Sequence, residues 1–158
     1  MKVSKKSAIK ICFATWFLTG TLLLWKGLRF LSVEVKFLGA KQLPLLRFAA
    51  RYSRDLEQAI LLLIATALIV GFIKGRIALR GVVNRTIARM NDKVQLQSVF
   101  APRELILIGF MIALGVSMRF LPIPIDVRGF VDVAIGSGLM NGAMLFLRKL
   151  IYDKAGQS

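Results

Sequence analysis

The stretch from Ala59 to Met90 constrains this chain more than any other. It opens with fifteen uncharged, mostly aliphatic residues, AILLLIATALIVGFI, from Ala59 to Ile73. It then turns at once into KGRIALRGVVNRTIARM, with five basic residues between Lys74 and Arg89 and no acid. Such a junction is a membrane span feeding into a cationic helix at the bilayer surface. Three more runs lack charge: Ile11–Trp25, Leu105–Met118 and Val133–Leu147, each 14 or 15 residues long. Hydrophobic residues make up 56% of the chain, against about 45–50% in soluble domains. Fifteen helical residues span only about 22 Å, short of the ~30 Å hydrocarbon layer. The flanks answer that shortfall. Lys10, Lys26, Lys74, Arg76, Arg119, Arg148 and Lys149 border the runs, and long cationic side chains snorkel to headgroups while their helix sinks deeper. The competing reading is a basic soluble helical bundle.

The expected fold class is all-α: a polytopic membrane protein forming a single membrane domain over residues 1–158. Its spans are expected at about 9–31, 57–76, 104–121 and 130–149. The net charge is +15, and where it falls sets the orientation. Four spans with the N-terminus inside put 14 Lys and Arg on the cytoplasmic side and 9 on the other. That asymmetry favours both termini inside. The cationic start followed by an apolar run resembles a signal peptide, but the run ends Leu-Leu-Trp-Lys-Gly without a small-residue cleavage pattern. It therefore reads as an uncleaved first span. Histidine is absent and Cys12 is the single cysteine. These facts exclude an intramolecular disulfide, a Cys/His zinc site and a histidine base.

Two amphipathic stretches are expected beside the spans. Pro44 suits a first helical turn, and LLRFAARYSRDLEQ follows with helical period. Leu45, Phe48, Ala49, Tyr52 and Leu56 share one face, with Arg47, Arg51 and Arg54 opposite. This predicts a helix at about 44–56, running into the second span without a break. It lies either in the interface or against the protein's own spans. A second, basic cytoplasmic helix is expected at about 77–91, with Leu79, Val83, Thr86, Ile87 and Met90 on one side. Val33, Val35 and Phe37 alternate with Glu34 and Lys36, which suits a short extended piece. Residues 91–102 read as a polar connector. Pro122 and Pro124 stop the third span and turn the chain tightly into the fourth.

The halves of the chain look alike. Leu28-Arg29-Phe30-Leu31 matches Met118-Arg119-Phe120-Leu121, and Gly71-x-x-Lys74-Gly75 matches Gly138-x-x-Asn141-Gly142. A duplicated helical hairpin would place the halves about an axis along the membrane normal. Glycines four apart make a groove for close helix approach in lipid. Gly71, Gly75, Gly138 and Gly142 are therefore helix-packing candidates. Asn141 needs a partner to sit among them.

Catalytic chemistry finds little footing. The eight acids avoid the centres of the expected spans, where a proton or ion path would need them. Asp126 and Asp132 with Arg128 and Arg119 could form a charged outer cluster, or simply exposed ion pairs of small worth. No phosphate loop, nucleophile elbow or zinc-protease motif is present. Five basic residues without interleaved aromatics argue against nucleic acid as partner.

The segments IKGRIALRGVVNRTIARM and MIALGVSMRFLPIPIDVRGFVDVAIGSGL resemble a group of small four-span bacterial membrane proteins. In these a span runs into a K-G-R-x-x-L-R helix and a later span ends in L-R-x-x-x-x-P. The resemblance covers about a third of the chain and brings no catalytic residue. It implies four spans in a bacterial inner membrane. The expected function is non-enzymatic: an interaction, assembly or lipid-binding module, with no cofactor and no metal. Its partners would be the bilayer, anionic phospholipids, and a second copy or another membrane protein. The binding residues would be Arg47, Arg51, Arg54, Lys74, Arg76, Arg80, Arg85 and Arg89. The alternative is a small oligomeric transporter or channel subunit with Asn141 and the glycines lining its path. A membrane enzyme working through interfacial acids ranks third.

Overall fold

The computed structural model describes residues 2–38, 43–89, 93–95, 113, 117 and 120–155. The chain is built from long helices. Helix α1 covers Lys5–Arg29, continues through a π-helical turn at Phe30–Glu34, and ends as α2, Val35–Leu38. Helix α3 is short, Pro44–Ala49. Helix α4 is one 34-residue rod, Leu56–Arg89, and α5 runs Ile125–Ala155. Two three-residue strands, β1 (Lys2–Ser4) and β2 (Lys93–Gln95), pair antiparallel with Val3 opposite Val94.

Three helices are long and apolar enough to cross a membrane: Lys6–Phe37, Leu56–Ala88 and Ile125–Tyr152. The expected span at 104–121 lies outside the described residues, save for Ala113, Ser117 and Phe120, which are helical, and Leu121. Leu121 N–H donates to the Ser117 carbonyl at 3.0 Å. The comparison of one half of the proposed duplication with the other falls on that same segment.

Several boundaries differ from those the sequence suggests. Val33, Val35 and Phe37 are helical, not extended. A helix already under way adds a residue cheaply, and the π turn orients Leu31 and Val35 inward, where both are fully buried. The α4 helix does not stop at Lys74-Gly75-Arg76. Lys and Arg are good helix formers, and beyond the junction Leu79, Val83 and Thr86 are buried, so packing carries the helix to Arg89. The expected helix at 44–56 ends at Ala49, and the chain turns through residues 50–55 before α4. Its buried face is also rotated. Leu46 and Ala49 are inside, while Phe48 and Tyr52 are 60% and 73% exposed. The last helix reaches beyond 130–149 at both ends, beginning directly after Pro124.

Helix α5 is the centre. Gly20 of α1 lies against Gly136 and Gly27 against Gly129, so α1 and α5 run antiparallel. Gly71 of α4 lies against Ala134 and Gly75 against Gly138, so α4 and α5 run parallel. Two apolar clusters close the bundle. One joins Ile9, Cys12, Trp16, Leu79, Val83, Ala143 and Phe146 near the N-terminus of α1. The other joins Leu31, Val35, Leu46, Ala59, Leu63 and Val133 where α3 packs on the spans. These are termed the N-terminal end and the α3 end.

Candidate functional site: glycine seams and a one-sided cationic surface

Between the two clusters the helices meet through glycine. A Cβ on Gly20 would stand 3.0 Å from the Gly136 carbonyl oxygen, and one on Gly27 would stand 2.7 Å from Val133 N. On the other side of α5, a Cβ on Gly71 would collide with the Ala134 carbonyl, and one on Gly75 with Gly138 Cα. Lipid gives little hydrophobic drive for helix association, so close backbone packing and interhelical hydrogen bonds must supply it. Both are here. Asn141 Nδ2 donates to the Phe72 carbonyl at 3.1 Å. Ser137 Oγ donates to Ala134 O at 3.0 Å and reaches Leu68 O at 3.4 Å. Gly142 meets a different surface: its Cβ would lie 2.9 Å from Leu79 and from the Trp16 ring.

The α3 end is fastened by acids. Asp126 is fully buried. Its Oδ2 accepts from Leu45 N at 2.7 Å and Leu46 N at 3.1 Å, while Oδ1 accepts from Val127 N at 2.8 Å. The first turn of α3 has no cap from its own Leu43, so a carboxylate on α5 satisfies the orphan amides that every helix start carries. Asp132, also buried, pairs with Lys26 of α1 at 3.0 Å, and the same ammonium lies 5.4 Å from the Phe30 ring centre. Both acids therefore turn inward. Neither joins Arg128 in the charged outer cluster expected from sequence, and neither is an exposed pair. Arg128 instead donates to the Leu121 carbonyl at 2.7 Å, and Arg119 lies outside the described residues. The exposed pair at this end is Lys36–Glu57, 2.8 Å.

The described basic residues of α3, the turn after it and α4 fall into two groups. Arg47, Arg51 and Arg54 are exposed at the α3 end, beside the exposed Phe48–Tyr52 ring pair with centroids 5.5 Å apart. At the other end Lys74, Arg80 and Arg85 are exposed and Arg76 is half-buried. Arg85 Nε donates back to Gly81 O at 2.9 Å. The side chain of Arg89 lies outside the described residues. Lys10, Arg148 and Lys149 add exposed charge there. The acids whose side chains are described, Glu34, Asp55, Glu57, Asp126 and Asp132, all belong to the α3 end. Among the described residues no group of three His, Cys, Asp or Glu side chains is placed to hold a metal.

Sequence reasoning missed three features. Gly20, Gly27, Gly129 and Gly136 form the α1 seam. Their signal was the shared spacing of seven, on which residues keep one helix face. The Lys26–Asp132 pair joins residues 106 positions apart and the Asp126 cap residues 81 apart, and no local pattern announces them. No protein-family model, curated protein or solved structure matches this chain.

Proposed function

We propose that this chain is a small multi-pass membrane protein of the bacterial inner membrane that works as a non-enzymatic interaction or lipid-binding module. The observation that carries this reading is the one-sided charge. The described surface of the N-terminal end presents cations alone, while every described acid sits at the α3 end. A surface of that kind, held at a membrane, attracts anionic lipid at about 1 kcal/mol per basic residue near the surface. The helices behind it are joined backbone to backbone, which suits a rigid platform. A transport path has less to support it, because the Asn141 amide is hydrogen-bonded to Phe72.

Four crossings with both termini cytoplasmic are part of the proposal. Helices α4 and α5 run parallel, so the connection between Arg89 and Leu121 has to return from one end of the bundle to the other. The N-terminus of α1 and the C-termini of α4 and α5 share the cationic end, in keeping with the positive-inside rule. Cysteine labelling in a Cys12→Ala background tests the orientation: a cysteine at Ser53 or Ile123 labelled only from the cytoplasm reverses it.

Purification in mild detergent followed by mass spectrometry of everything bound tests the function. Anionic phospholipid enriched over the bulk membrane, or a fixed membrane-protein partner, is the expected result. Solute flux in proteoliposomes that Asn141→Leu abolishes would replace this reading with the transporter one.

A further inference from the structure

The basic residues of α4 are not all at one depth. Leu79, Gly142 and Trp16 meet at one level of the bundle, since a Cβ on Gly142 would lie 2.9 Å from both of the others. Trp16 is six residues inside Lys10, and Gly142 is six residues inside Arg148. At 1.5 Å per residue the contact lies about 9 Å deeper than the rim those two cations mark. Arg76 and Arg80 flank Leu79 in sequence. Both are thus carried below the rim, alongside the charge-free runs of α1 and α5.

The face that bears them is patterned along its length. Ile69, Ile73, Arg76, Ile77 and Arg80 fall at the one-face spacing of a helix, and Asn84 continues it one turn further. Ile69, Ile73 and Ile77 are 58%, 52% and 71% exposed. Arg80 and Asn84 are exposed, and Arg76 is half-buried. Neither arginine makes an ion pair among the described residues. The face is therefore apolar toward the bilayer centre at Ile69 and Ile73, cationic at Arg76 and Arg80 with Ile77 between them, and polar at Asn84. A phospholipid has that order, from acyl chain to phosphate to headgroup. Guanidinium also matches phosphate oxygens with two parallel hydrogen bonds.

We infer that this face of α4 is a binding site for one anionic phospholipid, its phosphate between Arg76 and Arg80 and its chains along Ile69 and Ile73. The site rests on the module reading above and narrows it to one ligand class and one helix face. The bound phosphate is drawn inward of the bulk headgroup plane, which supplies the counter-charge an arginine at this depth requires.

The full chain in mild nonionic detergent is titrated with phosphatidylglycerol or phosphatidylcholine. Native mass spectrometry counts retained lipid, and thermal unfolding reports stabilisation. R76Q/R80Q is expected to weaken phosphatidylglycerol binding about 30-fold, from two basic contacts. R76K/R80K should fall between wild type and R76Q/R80Q, since it keeps the charge and loses the paired hydrogen bonds. R148Q/K149Q at the rim, acting only through screened charge, should lose only about 3-fold. Unchanged retention in R76Q/R80Q overturns the site, as does a loss at the rim equal to or larger than the loss at the pair. Inorganic phosphate stabilising the protein alone, in an Arg76- and Arg80-dependent way, makes the occupant a soluble anion and overturns the lipid assignment. If lipid is retained independently of the pair, only this site falls. If the wild type holds neither anionic lipid nor a protein partner, the module reading falls with it.

Discussion

Helix α5 is gripped by glycine on two sides, and the two grips are built differently. Toward α1 the glycines recur every seven residues on both partners, Gly20 and Gly27 against Gly136 and Gly129, in antiparallel helices. Toward α4 they recur every four on α4, Gly71 and Gly75 against Ala134 and Gly138, in parallel helices. A seven-residue repeat keeps one face turned to a partner over a long stretch. A four-residue repeat makes a short, flat groove. The α1 seam is correspondingly shallow, with hypothetical Cβ atoms 2.7 to 3.0 Å from their neighbours at Gly20, Gly27 and Gly136. In the α4 seam the same atoms at Gly71 and Gly75 would enter backbone. Depth changes the chemistry available. Where backbones touch, short polar side chains reach the facing carbonyls, and Ser137 and Asn141 do so. Along the shallower seam the long Lys26 side chain meets Asp132 instead.

The sharpest test of that contrast is a single methyl group. Gly71→Ala and Gly75→Ala are each expected to cost about 3 kcal/mol or more, because backbone rather than a flexible side chain stands in the way. Gly20→Ala should cost about 1 kcal/mol, since Met140 can give part of the space. Unfolding of the purified protein by SDS titration, followed by circular dichroism, measures both. Equal losses on the two sides would erase the distinction between the seams.

A second test removes a contact that neither seam provides. Asp126→Ala leaves the Leu45 and Leu46 amides without their acceptor and is expected to cost about 2 kcal/mol. Asp126→Asn keeps an acceptor oxygen and should cost about half of that. Because α3 is only six residues long, the loss should be local. Protease sensitivity in the turn at residues 50–55 should rise before the bundle melts. If the bundle itself loosens first, Asp126 holds α5 in place and not merely α3.

How far the chain could be read in advance follows the same divide between local and distant. The apolar runs of α1, α4 and α5 were legible, because fifteen uncharged residues exclude most other fates. The Gly71-x-x-x-Gly75 pattern drew notice because four-residue spacing is a familiar local signal. The seven-residue pairs are harder to see, because a spacing of two turns shows as a pattern only when the facing helix is known to carry it too. Helix ends are less legible: at Lys74-Gly75-Arg76 the residues turn basic but the backbone stays helical to Arg89, whereas the helix expected to reach 56 ends at Ala49. In sequence Asp126 suits an outer charged cluster or an exposed ion pair, because its near neighbours Arg119 and Arg128 are the visible partners. What buries it is α3, some 80 positions earlier in the chain.

Gly81 supplies a control of opposite sign. It is exposed, and an added Cβ would meet only the end of the Arg85 side chain, at 3.6 Å. Gly81→Ala is expected to stabilise α4 by about 0.5–1 kcal/mol through helix propensity alone. Loss of stability in the same SDS titration would mean that this face of α4 is covered in the membrane. That covering would be a partner or the chain's own segment between Arg89 and Leu121.

The smallest effect probes whether the deep seam needs its hydrogen bonds once its glycines are in place. Interhelical side-chain hydrogen bonds in membranes average about 0.6 kcal/mol and reach about 1.7. Asn141→Ala removes the 3.1 Å bond to Phe72 O and is expected to cost about 1 kcal/mol. Ser137→Ala should cost about 0.5 kcal/mol or less, because its contact to Leu68 O is long and its better bond stays within its own turn. The two donors reach carbonyls one turn apart on α4, so their losses should be nearly additive in a double-mutant cycle. Coupling above about 0.5 kcal/mol would mean that the two act as one polar network and that the seam shifts when either is lost. Additive, small losses would leave the backbone contact at Gly71 and Gly75 as the main tie between α4 and α5, with Asn141 fixing their register.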